Sequence, residues 1–362
     1  MTTHMTAHMG KTRIAVAGAG YIGQAHIAAA RASASVALCA VVDPAPAAVA
    51  IAAAAGVPLF ASLEDLLANH RPDGVVIATP NHLHVQQALL CIDAGLPCLL
   101  EKPIAPTVAQ AQTVVDAVAK HQAKLLIGHH RAHSPIMAKA REVLASGQLG
   151  RIVAVTGSAT FYKPDQYFAD APWRSALGGG PILLNLIHEV HNLRMLCGPI
   201  VAVQAFASQA VRGHAVEDTV AINLRFASGA LGTFMLSDCA ASARSWEQTS
   251  QENKAYPSYS DEDCYVVSGT NGSLAMPTMR IKSYAKQDER SWWKPFEQSV
   301  LTMQRQDPVA LQMAHFGAVV RGEAAPLVSA QDGLENLRIT EAISLAARTG
   351  QTVAIAPHNP SF

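Results

Sequence analysis

Two patterns of apolar and polar residues divide the chain. From Arg13 to about His129, short runs rich in β-branched residues alternate with longer, alanine-rich stretches of helical periodicity. This alternation is typical of βαβ units and predicts a parallel sheet with four helical stretches between its strands. The strands predicted for this first region are Arg13–Ala17, Ala37–Val42, Gly74–Ala78, Pro97–Leu100 and Lys124–Gly128.

The pattern changes after about Leu149. Five further apolar runs follow without regular helices between them, which predicts a separate and mostly antiparallel sheet. These runs are Arg151–Thr160, Val201–Ala207, Val220–Phe226, Ala230–Ser237 and Cys264–Gly269. The dipeptide Ser228-Gly229 joins two of them as a tight hairpin would, and helical periodicity returns over Pro308–Arg348. The long polar segment Arg244–Asp263 leaves a lid and a subunit contact open as interpretations.

Composition narrows the class of protein. The chain has 362 residues, of which 50% are hydrophobic and 15% charged, and its 27 lysines and arginines balance its 27 acidic residues. It therefore lacks the net charge that attracts nucleic acid or an anionic membrane. The six cysteines form no C-x-x-C pair and predict free thiols in a reducing, cytoplasmic setting. No apolar run is long enough to span a bilayer.

A glycine motif follows the first predicted strand. Gly18-Ala19-Gly20-Tyr21-Ile22-Gly23 lies between that strand and a helical stretch, as in a dinucleotide-binding turn. Its glycines permit a tight turn, close approach of the backbone to a pyrophosphate, and close packing of helix on strand. The second strand ends at Asp43, at the distance where an acidic residue meets the adenosine ribose. The combination predicts a dinucleotide site.

The residues around Asp43 favour NAD over NADP. A carboxylate accepts hydrogen bonds from ribose hydroxyls and repels a 2′-phosphate, and the following Pro44 and Ala45 supply no cation. Arg31 and Arg71 remain able to approach from elsewhere in the chain.

Further motifs continue along nearly the whole chain. They are Ala78-Thr79-Pro80-Asn81-His82-Leu83-His84, Glu101-Lys102-Pro103, Trp173-Arg174, Gly178-Gly179-Gly180 with His188 in the next helix, and Gly269-Thr270-Asn271-Gly272-Ser273-Leu274. With them, the sequence resembles the glucose-fructose oxidoreductase, inositol dehydrogenase and rhizopine catabolism (Gfo/Idh/MocA) family. The resemblance implies an α/β Rossmann domain joined to an α+β domain with an open-faced, predominantly antiparallel sheet, and an active site in the cleft between them. We place these domains at residues 12–131 and 132–358, allow the C-terminal helices to pack back on the first, and treat residues 1–11 as a disordered tail.

The resemblance also implies functional residues. The cofactor contacts of the family fall on Gly18, Gly20, Tyr21, Ile22, Gly23, Asp43, Thr79, Pro80, Asn81, His84, Glu101 and Lys102. Its catalytic lysine and histidine fall on Lys102 and His188. The aspartate that many members carry four residues before the histidine is Leu184 here. This departure leaves the proton relay open and points to a subfamily with a different substrate or weakened activity.

The chemistry expected of these residues is alcohol oxidation or the reverse. When a hydroxyl-bearing carbon gives up a hydride, a base must take the hydroxyl proton and a positive group stabilises the developing alkoxide. Lys102 follows a parallel strand, where open α/β sheets place ligands. His188 is the proton-transfer candidate because imidazole titrates near neutral pH. In the predicted helix Ile182–Cys197, Asn185 and Asn192 share one stripe with His188, opposite an apolar side.

Four more residues complete the predicted substrate contacts. His130 and Arg131 follow the last strand of the first region, where a polar interdomain hinge is an equal interpretation. Trp173 and Arg174 precede the glycines and offer an aromatic face and a guanidinium. If both arginines reach the substrate, a carboxylate-bearing substrate is implied. The nearby histidines lack a carboxylate or thiolate to complete a metal site, so no metal is predicted.

Together these features predict an NAD-dependent oxidoreductase acting on a sugar, cyclitol or related polar cyclic alcohol, with or without a carboxylate. The alternative is an NAD(P)-binding regulatory or sensor protein with weak or no turnover. The expected partner is a small polar substrate rather than nucleic acid or a membrane. A sheet with one uncovered face predicts a homodimer or homotetramer formed through the second domain.

Overall fold

The chain forms two compact units. A computed structural model describes residues 10–356, so the predicted tail lies outside the described residues except for Gly10 and Lys11. The first unit runs to His130 and includes Val309–Leu334, and the second comprises Arg131–Pro308 and the chain from Glu335 onward.

The first unit is built on a six-stranded parallel sheet. Its strands are β1 (Thr12–Ala17), β2 (Val36–Val42), β3 (Leu59–Phe60), β4 (Gly74–Ile77), β5 (Cys98–Leu100) and β6 (Leu125–Ile127), in the order β3-β2-β1-β4-β5-β6. Its helices are α1 (Tyr21–Ala32), α2 (Ala47–Ala55), α3 (Leu63–Asn69), α4 (His84–Asp93) and α5 (Val108–His121). The parallel sheet and its five predicted strands are confirmed. The two-residue β3, and the extra helix that it separates, were not predicted because so short a strand has no periodicity.

Local sequence explains where several of these helices begin and end. The side chains of Ser62 and Thr107 accept hydrogen bonds from backbone N–H groups in the first turns of α3 and α5, respectively. Gly56 ends α2 in the left-handed conformation that glycine adopts without a Cβ clash. Apart from the exposed Arg13 in β1, all residues of β1, β4 and β5 are buried, as expected for a sheet covered on both faces.

The order of the strands determines where a ligand can bind. Because all strands are parallel, their carboxyl ends lie along one edge of the sheet. The chain runs from β1 toward β3 on one side and from β4 toward β6 on the other. The edge beyond β1 and β4 is therefore the topological switch point, where open α/β sheets bind their ligands.

The second unit is built on a nine-stranded sheet. It contains α6 (Pro135–Ala145), β7 (Ile152–Thr160), α7 (Asp165–Ala169), a π-helical turn (Ile182–Leu186) continuing into α8 (Ile187–Cys197), β8 (Ile200–Ser208), β9 (Thr219–Phe226), β10 (Leu231–Ser237), α9 (Trp246–Thr249), β11 (Tyr265–Gly269), β12 (Gly272–Met276), β13 (Arg280–Ser283), β14 (Glu297–Val300) and β15 (Val353–Ala354). The order is β14-β13-β12-β11-β7-β10-β9-β8-β15, and every pair is antiparallel except β7 with β10. The predicted antiparallel sheet and the β9–β10 hairpin at Ser228-Gly229 are confirmed.

Alternation along the strands explains why one face of this sheet is open. In β10, Gly232, Phe234 and Leu236 are buried, whereas Leu231 and Met235 between them are 57% and 43% exposed. Side chains alternate between faces in a strand, so one face packs on the core and the other faces outward. The predicted open-faced sheet is confirmed.

The polar segment Arg244–Asp263 is in part a core element. It contains α9, where Trp246 is 3% exposed, and Glu252, which is 5% exposed. Glu252 accepts hydrogen bonds from the Ser134 hydroxyl and from Trp246 Nε1. These buried contacts hold residues 246–252 in place, whereas the part that follows is exposed at Tyr256 and Tyr259.

Two long helices complete the described chain. They are α10 (Pro308–Arg321), which belongs to the first unit, and α11 (Ala330–Thr349). Among residues 10–356, no helix has the length and apolar character required to cross a membrane. All six cysteines are free thiols.

Candidate functional site

The glycine motif forms a loop in which two glycines are sterically required and one faces open space. Gly18 has φ +93°, and a Cβ there would lie 2.4 Å from the carbonyl oxygen of Ala78. A Cβ on Gly23 would lie 1.9 Å from the carbonyl oxygen of Gly18. A Cβ on Gly20 would meet no atom within 4 Å. The second glycine therefore leaves room for a group that approaches the backbone from outside.

The N-terminus of α1 opens onto the same space. Gly20 is the N-cap residue, and no side chain caps the helix. Tyr21, at the first helical position, is exposed, and Ile22 behind it is half-buried. A helix N-terminus carries N–H donors and a partial positive charge, both of which bind a phosphate. The loop thus fits the pyrophosphate of a dinucleotide.

Asp43 lies beside this loop at the end of β2. Its Oδ2 accepts a hydrogen bond from the N–H of Ala19 at 2.7 Å, and its Oδ1 accepts one from the N–H of Ala45 at 2.8 Å. The side chain is half-buried, and within the described residues it makes no ion pair. A carboxylate has further lone pairs, so Asp43 can accept additional hydrogen bonds.

Arg31 and Arg71 are the two arginines that the sequence analysis allowed to approach Asp43. Neither lies beside it. Arg31 lies in the last turn of α1, at the end of that helix away from the glycine loop. Arg71 precedes β4, at the edge of the sheet opposite the carboxyl ends, where it lines a groove with Thr12 and Asp73. Neither arginine therefore accompanies Asp43 beside the glycine loop.

His84 contacts both the segment after β4 and the segment after β5. One ring nitrogen of His84 lies 2.9 Å from the carbonyl oxygen of Thr79, and the other lies 2.7 Å from that of Pro103. Burial lowers the pKa of His84, and its two carbonyl partners oppose that shift. Pro80 and Asn81 lie at the rim of this segment, exposed and half-buried. His84 thus connects the segment that follows β4 to the segment that follows β5.

Glu101 also connects two elements inside the first unit. It is 4% exposed, and its Oε1 lies 2.8 Å from Nε2 of His26 in α1. Burial by itself would raise the pKa of this carboxyl, but the hydrogen bond and charge of His26, with the charge of Lys102, lower it. The anion links the end of β5 to the helix that follows the glycine loop.

Lys102 and His130 lie at the carboxyl ends of neighbouring strands. Lys102 follows β5 and is half-buried, with its backbone N–H donating to Glu101 Oε2 at 3.2 Å. His130 follows β6 and is half-buried as well. The first unit thus brings the predicted cofactor residues and Lys102 to one edge of its sheet.

The helix that carries His188 differs from the expected two-sided helix. It begins with the π-helical turn Ile182–Leu186, and the N–H of Ile182 donates to Glu217 Oε1 at 2.9 Å. In α8, His188, Glu189 and Asn192 are all buried, at 7%, 1% and 0% exposure. The stripe with His188 and Asn192 is therefore buried, as is the apolar side with Val190 and Leu193.

Glu189 organises a buried polar network that the sequence did not reveal. Its Oε1 accepts from Arg131 Nη1 at 2.5 Å, and its Oε2 accepts from the Tyr265 hydroxyl. Arg131 Nη2 donates to Glu247, and Asn192 Nδ2 donates to the Tyr265 hydroxyl at 3.3 Å. Burial raises the pKa of Glu189 to about 7, against the opposing charge of Arg131.

This network changes the interpretation of Arg131 and Asn192. Arg131 is 3% exposed and is paired with two carboxylates. Those carboxylates hold the pKa of Arg131 above its ordinary value although burial opposes them. A guanidinium neutralised in this way does not favour the predicted contact with a substrate carboxylate. Asn192 is likewise engaged inside the unit.

Two other predicted substrate contacts, Asn185 and Arg174, lie near Lys163, a residue that the sequence analysis did not single out. Trp173 is 54% exposed, and Arg174 packs over the ring of Tyr167, with its Cζ 3.9 Å from the ring centroid. Asn185 Oδ1 accepts a hydrogen bond from Lys163 Nζ at 2.7 Å. The sequence carried no signal for Lys163, because its partner stands 22 positions away.

Metal ligation has no support in the described part of the chain. Over residues 10–356, no three histidine, cysteine, aspartate or glutamate side chains are grouped so as to hold an ion.

Comparisons with known proteins agree with this geometry. The model of a family described as "Oxidoreductase family, NAD-binding Rossmann fold" matches residues 12–129. A second model, the "GFO/IDH/MocA C-terminal domain", matches residues 137–275.

Named relatives and a solved structure cover most of the chain. A 1,5-anhydro-D-fructose reductase of Ensifer adhaerens is 28% identical over 302 residues, 81% of this chain and 83% of that protein. An inositol 2-dehydrogenase of Rhizobium meliloti is 26% identical over 349 residues, 95% of this chain and 99% of that protein. The WlbA dehydrogenase of Bordetella pertussis, in complex with NADH and UDP-GlcNAcA, has the same fold, with a TM-score of 0.77 at 24% identity, covering 96% of this chain and 100% of its own.

Proposed function

Because this chain belongs to the Gfo/Idh/MocA family of oxidoreductases, we propose that it transfers a hydride between NAD and a hydroxyl-bearing carbon of a sugar, cyclitol or related polar cyclic alcohol. The observation that carries this proposal is the glycine loop, in which Gly20 faces open space between the uncapped N-terminus of α1 and Asp43. The relatives named as a sugar reductase and an inositol dehydrogenase support the substrate class.

The residues present fit the cofactor. The backbone at Gly18, Gly20, Tyr21, Ile22 and Gly23 would bind the pyrophosphate, and Asp43 the adenosine ribose. The segment Thr79–Asn81 and Lys102 would border the rest of the molecule at the same edge of the sheet. When bound, the nicotinamide supplies the hydride acceptor or donor of the reaction.

The preference for NAD rests on Asp43. With Arg31 and Arg71 both placed away from it, a 2′-phosphate would meet a carboxylate without a compensating cation. Asp43→Ala is therefore expected to weaken NAD binding about tenfold, through loss of hydrogen bonds to a charged group. It should also reduce the ratio of NADP to NAD dissociation constants measured by calorimetry. An unchanged ratio would contradict the assignment of Asp43 to the ribose. The exposed Asp93→Ala, near the end of α4, is the matched control.

The proton and charge chemistry is assigned to Lys102 and His188. Lys102 offers an ammonium at the carboxyl end of β5, which stabilises negative charge as a hydroxyl is deprotonated. His188 offers an imidazole to take or return that proton. With Leu184 at the position of the family aspartate, the histidine must be oriented by other groups of its helix. The pair Glu189–Arg131 fixes the turn next to it.

Purified protein mixed with NAD and a panel of polyols, aldoses and sugar acids tests the whole proposal. NADH absorbance should rise with at least one member of the panel. Tight NAD binding without NADH formation from any of them would instead favour the sensor alternative.

We propose further that the chain forms a homodimer or homotetramer through the open face of the second sheet. The exposed side chains of Phe206, Leu231 and Met235 on that sheet support this proposal. Light scattering that gives the mass of a single chain at micromolar concentration would contradict it.

A further inference from the structure

Glu101 is a buried carboxylate whose two oxygens both have donors inside the first unit. Its Oε1 lies 2.8 Å from His26 Nε2, and its Oε2 accepts from the backbone N–H of Lys102 at 3.2 Å. The residue is 4% exposed. Because an anionic carboxylate only accepts hydrogen bonds, His26 Nε2 is the donor of the first contact. Glu101 therefore connects α1, which begins at the glycine loop, to the lysine assigned to charge stabilisation.

The polar contact of His26 is directed at Glu101. His26 is 0% exposed, and within residues 10–356 its other ring nitrogen, Nδ1, is buried without a hydrogen-bond partner. Burying a polar ring costs free energy unless the ring is hydrogen-bonded. The bond to Glu101 therefore accounts for a histidine, rather than an apolar residue, on the buried side of α1.

The end of β6 leaves room for this carboxylate. A Cβ on Gly128, which follows β6, would lie 2.8 Å from Glu101 Oε1 and 2.8 Å from Glu101 Cδ. Any other residue at this position would displace the carboxylate from its place. Glu101 therefore packs against both the His26 ring and the backbone of Gly128.

The chain on the other side of Lys102 is held as well. The carbonyl oxygen of Pro103 lies 2.7 Å from His84 Nδ1, and His84 is 1% exposed. The backbone of Lys102 thus lies between two buried anchors, Glu101 before it and His84 after it. A lysine side chain is a flexible four-carbon stem, so the position of its ammonium depends first on where its backbone is fixed.

Glu101 also supplies negative charge to the groups around it. Four groups that are positive when protonated interact with its charge: His26 of α1, His84 of α4, Lys102 and His130. Burial by itself would raise the pKa of Glu101, but the hydrogen bond and charge of His26 and the charges of Lys102 and His130 lower it. This attraction is reciprocal, so an anionic Glu101 favours the ammonium form of Lys102.

We infer that Glu101 and His26 are positioning residues for Lys102: His26 holds the Glu101 carboxylate, which in turn fixes the backbone of Lys102 and keeps its side chain an ammonium. The consequence for catalysis rests on the proposed oxidoreductase function. The resemblance places Glu101 among the cofactor contacts, whereas its burial and its two internal donors support a role that acts through Lys102.

Titration of the Lys102 amine tests this inference without requiring turnover. Acetic anhydride acetylates only the neutral amine, so the pH dependence of Lys102 acetylation, followed by peptide mass spectrometry on the full chain without NAD, reports its protonation. Glu101→Gln keeps the size of the side chain and removes its charge. The midpoint of Lys102 acetylation should therefore fall by about one pH unit, as expected when a neighbouring opposite charge is lost. Lys124, at the other edge of the sheet, is the internal control and should keep its midpoint.

Variants of His26 test whether it acts through Glu101. His26→Met leaves the buried carboxylate without its donor from α1, so Glu101 should take up a proton and the Lys102 midpoint should fall as in Glu101→Gln. His26→Gln offers an amide N–H near the place of Nε2 and should restore most of the wild-type midpoint. If His26→Met does not fold, as judged by circular dichroism, Glu101→Gln and His26→Gln carry the test.

Kinetics connect the position of Lys102 to the reaction. With a substrate that forms NADH, Glu101→Gln should lower kcat about tenfold, because the amide cannot accept from both His26 and the Lys102 N–H at its two ends. The alkaline fall of kcat should begin about one pH unit lower, and the NAD dissociation constant should stay within about threefold. Glu64→Gln, an exposed carboxylate in the first turn of α3, is the matched control.

The outcomes separate this inference from the proposed function. A wild-type Lys102 midpoint in Glu101→Gln overturns the inference, even if the protein forms NADH. Equal shifts of Lys102 and Lys124 also overturn it, because a general loss of structure moves both. A His26→Gln midpoint as low as that of Glu101→Gln removes His26 from the inference. A shift confined to Lys102, in a protein that forms no NADH with any substrate, supports the inference and contradicts hydride transfer alone.

Discussion

Lys102→Ala is expected to lower kcat about 1000-fold, the upper range for removing a group that stabilises charge developing in the transition state. The dissociation constant of NAD should change by less than about threefold, since the ammonium acts on charge that develops only during the reaction. Lys102 follows β5 at the carboxyl edge of the sheet and is half-buried, so its charge is poorly screened by water. Steady-state kinetics with the best substrate of the panel, and calorimetry with NAD, give the two quantities.

Lys124→Ala is the matched control for this experiment. Lys124 is also half-buried and adjoins the same sheet, but it precedes β6 and donates to the carbonyl of Val320. It therefore lies at the opposite edge from the glycine loop, and its loss should leave kcat within about twofold. An equal fall of kcat and NAD affinity in Lys102→Ala would mean that the lysine serves cofactor binding alone.

Gly23→Ala is expected to destabilise the first unit by about 3 kcal/mol or to prevent its folding, the upper range for overpacking. The added Cβ would lie 1.9 Å from the carbonyl oxygen of Gly18, so the loop and α1 could not keep their spacing. Chemical denaturation without NAD, followed by circular dichroism, measures the loss.

Gly20→Ala provides the comparison within the same loop. Gly20 has φ −70°, which alanine adopts readily, and its Cβ would meet no protein atom within 4 Å. Stability without NAD should therefore change by less than about 1 kcal/mol. NAD affinity should fall at least about tenfold, because the methyl group occupies the space through which the pyrophosphate approaches. Wild-type NAD affinity in Gly20→Ala would show that the cofactor does not use this space.

Some site residues could be predicted because their roles depend on neighbours in sequence. The glycine loop needs a preceding strand, a following helix and fixed spacing, all of which are visible in Gly18–Gly23. Asp43 could be predicted in the same way, from its place at the end of β2.

Other residues could not be predicted because their partners are distant in sequence. Glu189 in a helix ordinarily predicts an exposed carboxylate, yet here it meets Arg131, 58 positions before it. Lys163 likewise acquires its place only through Asn185 and the ring of Tyr167. The short strand β3 escaped prediction for a different reason, since two residues cannot display an alternating pattern.

The order of residues alone was enough to predict the class of each sheet, the dinucleotide loop and the family resemblance. Those features follow from hydrophobic periodicity and from backbone constraints that act over a few residues. The tertiary structure decided which charged groups remain available. It paired Arg131 with two carboxylates, buried most of α8, and placed Lys163 and Arg174 over the same ring of Tyr167. The physical reason is that burial and charge pairing depend on which distant segments meet, and no local pattern encodes those meetings.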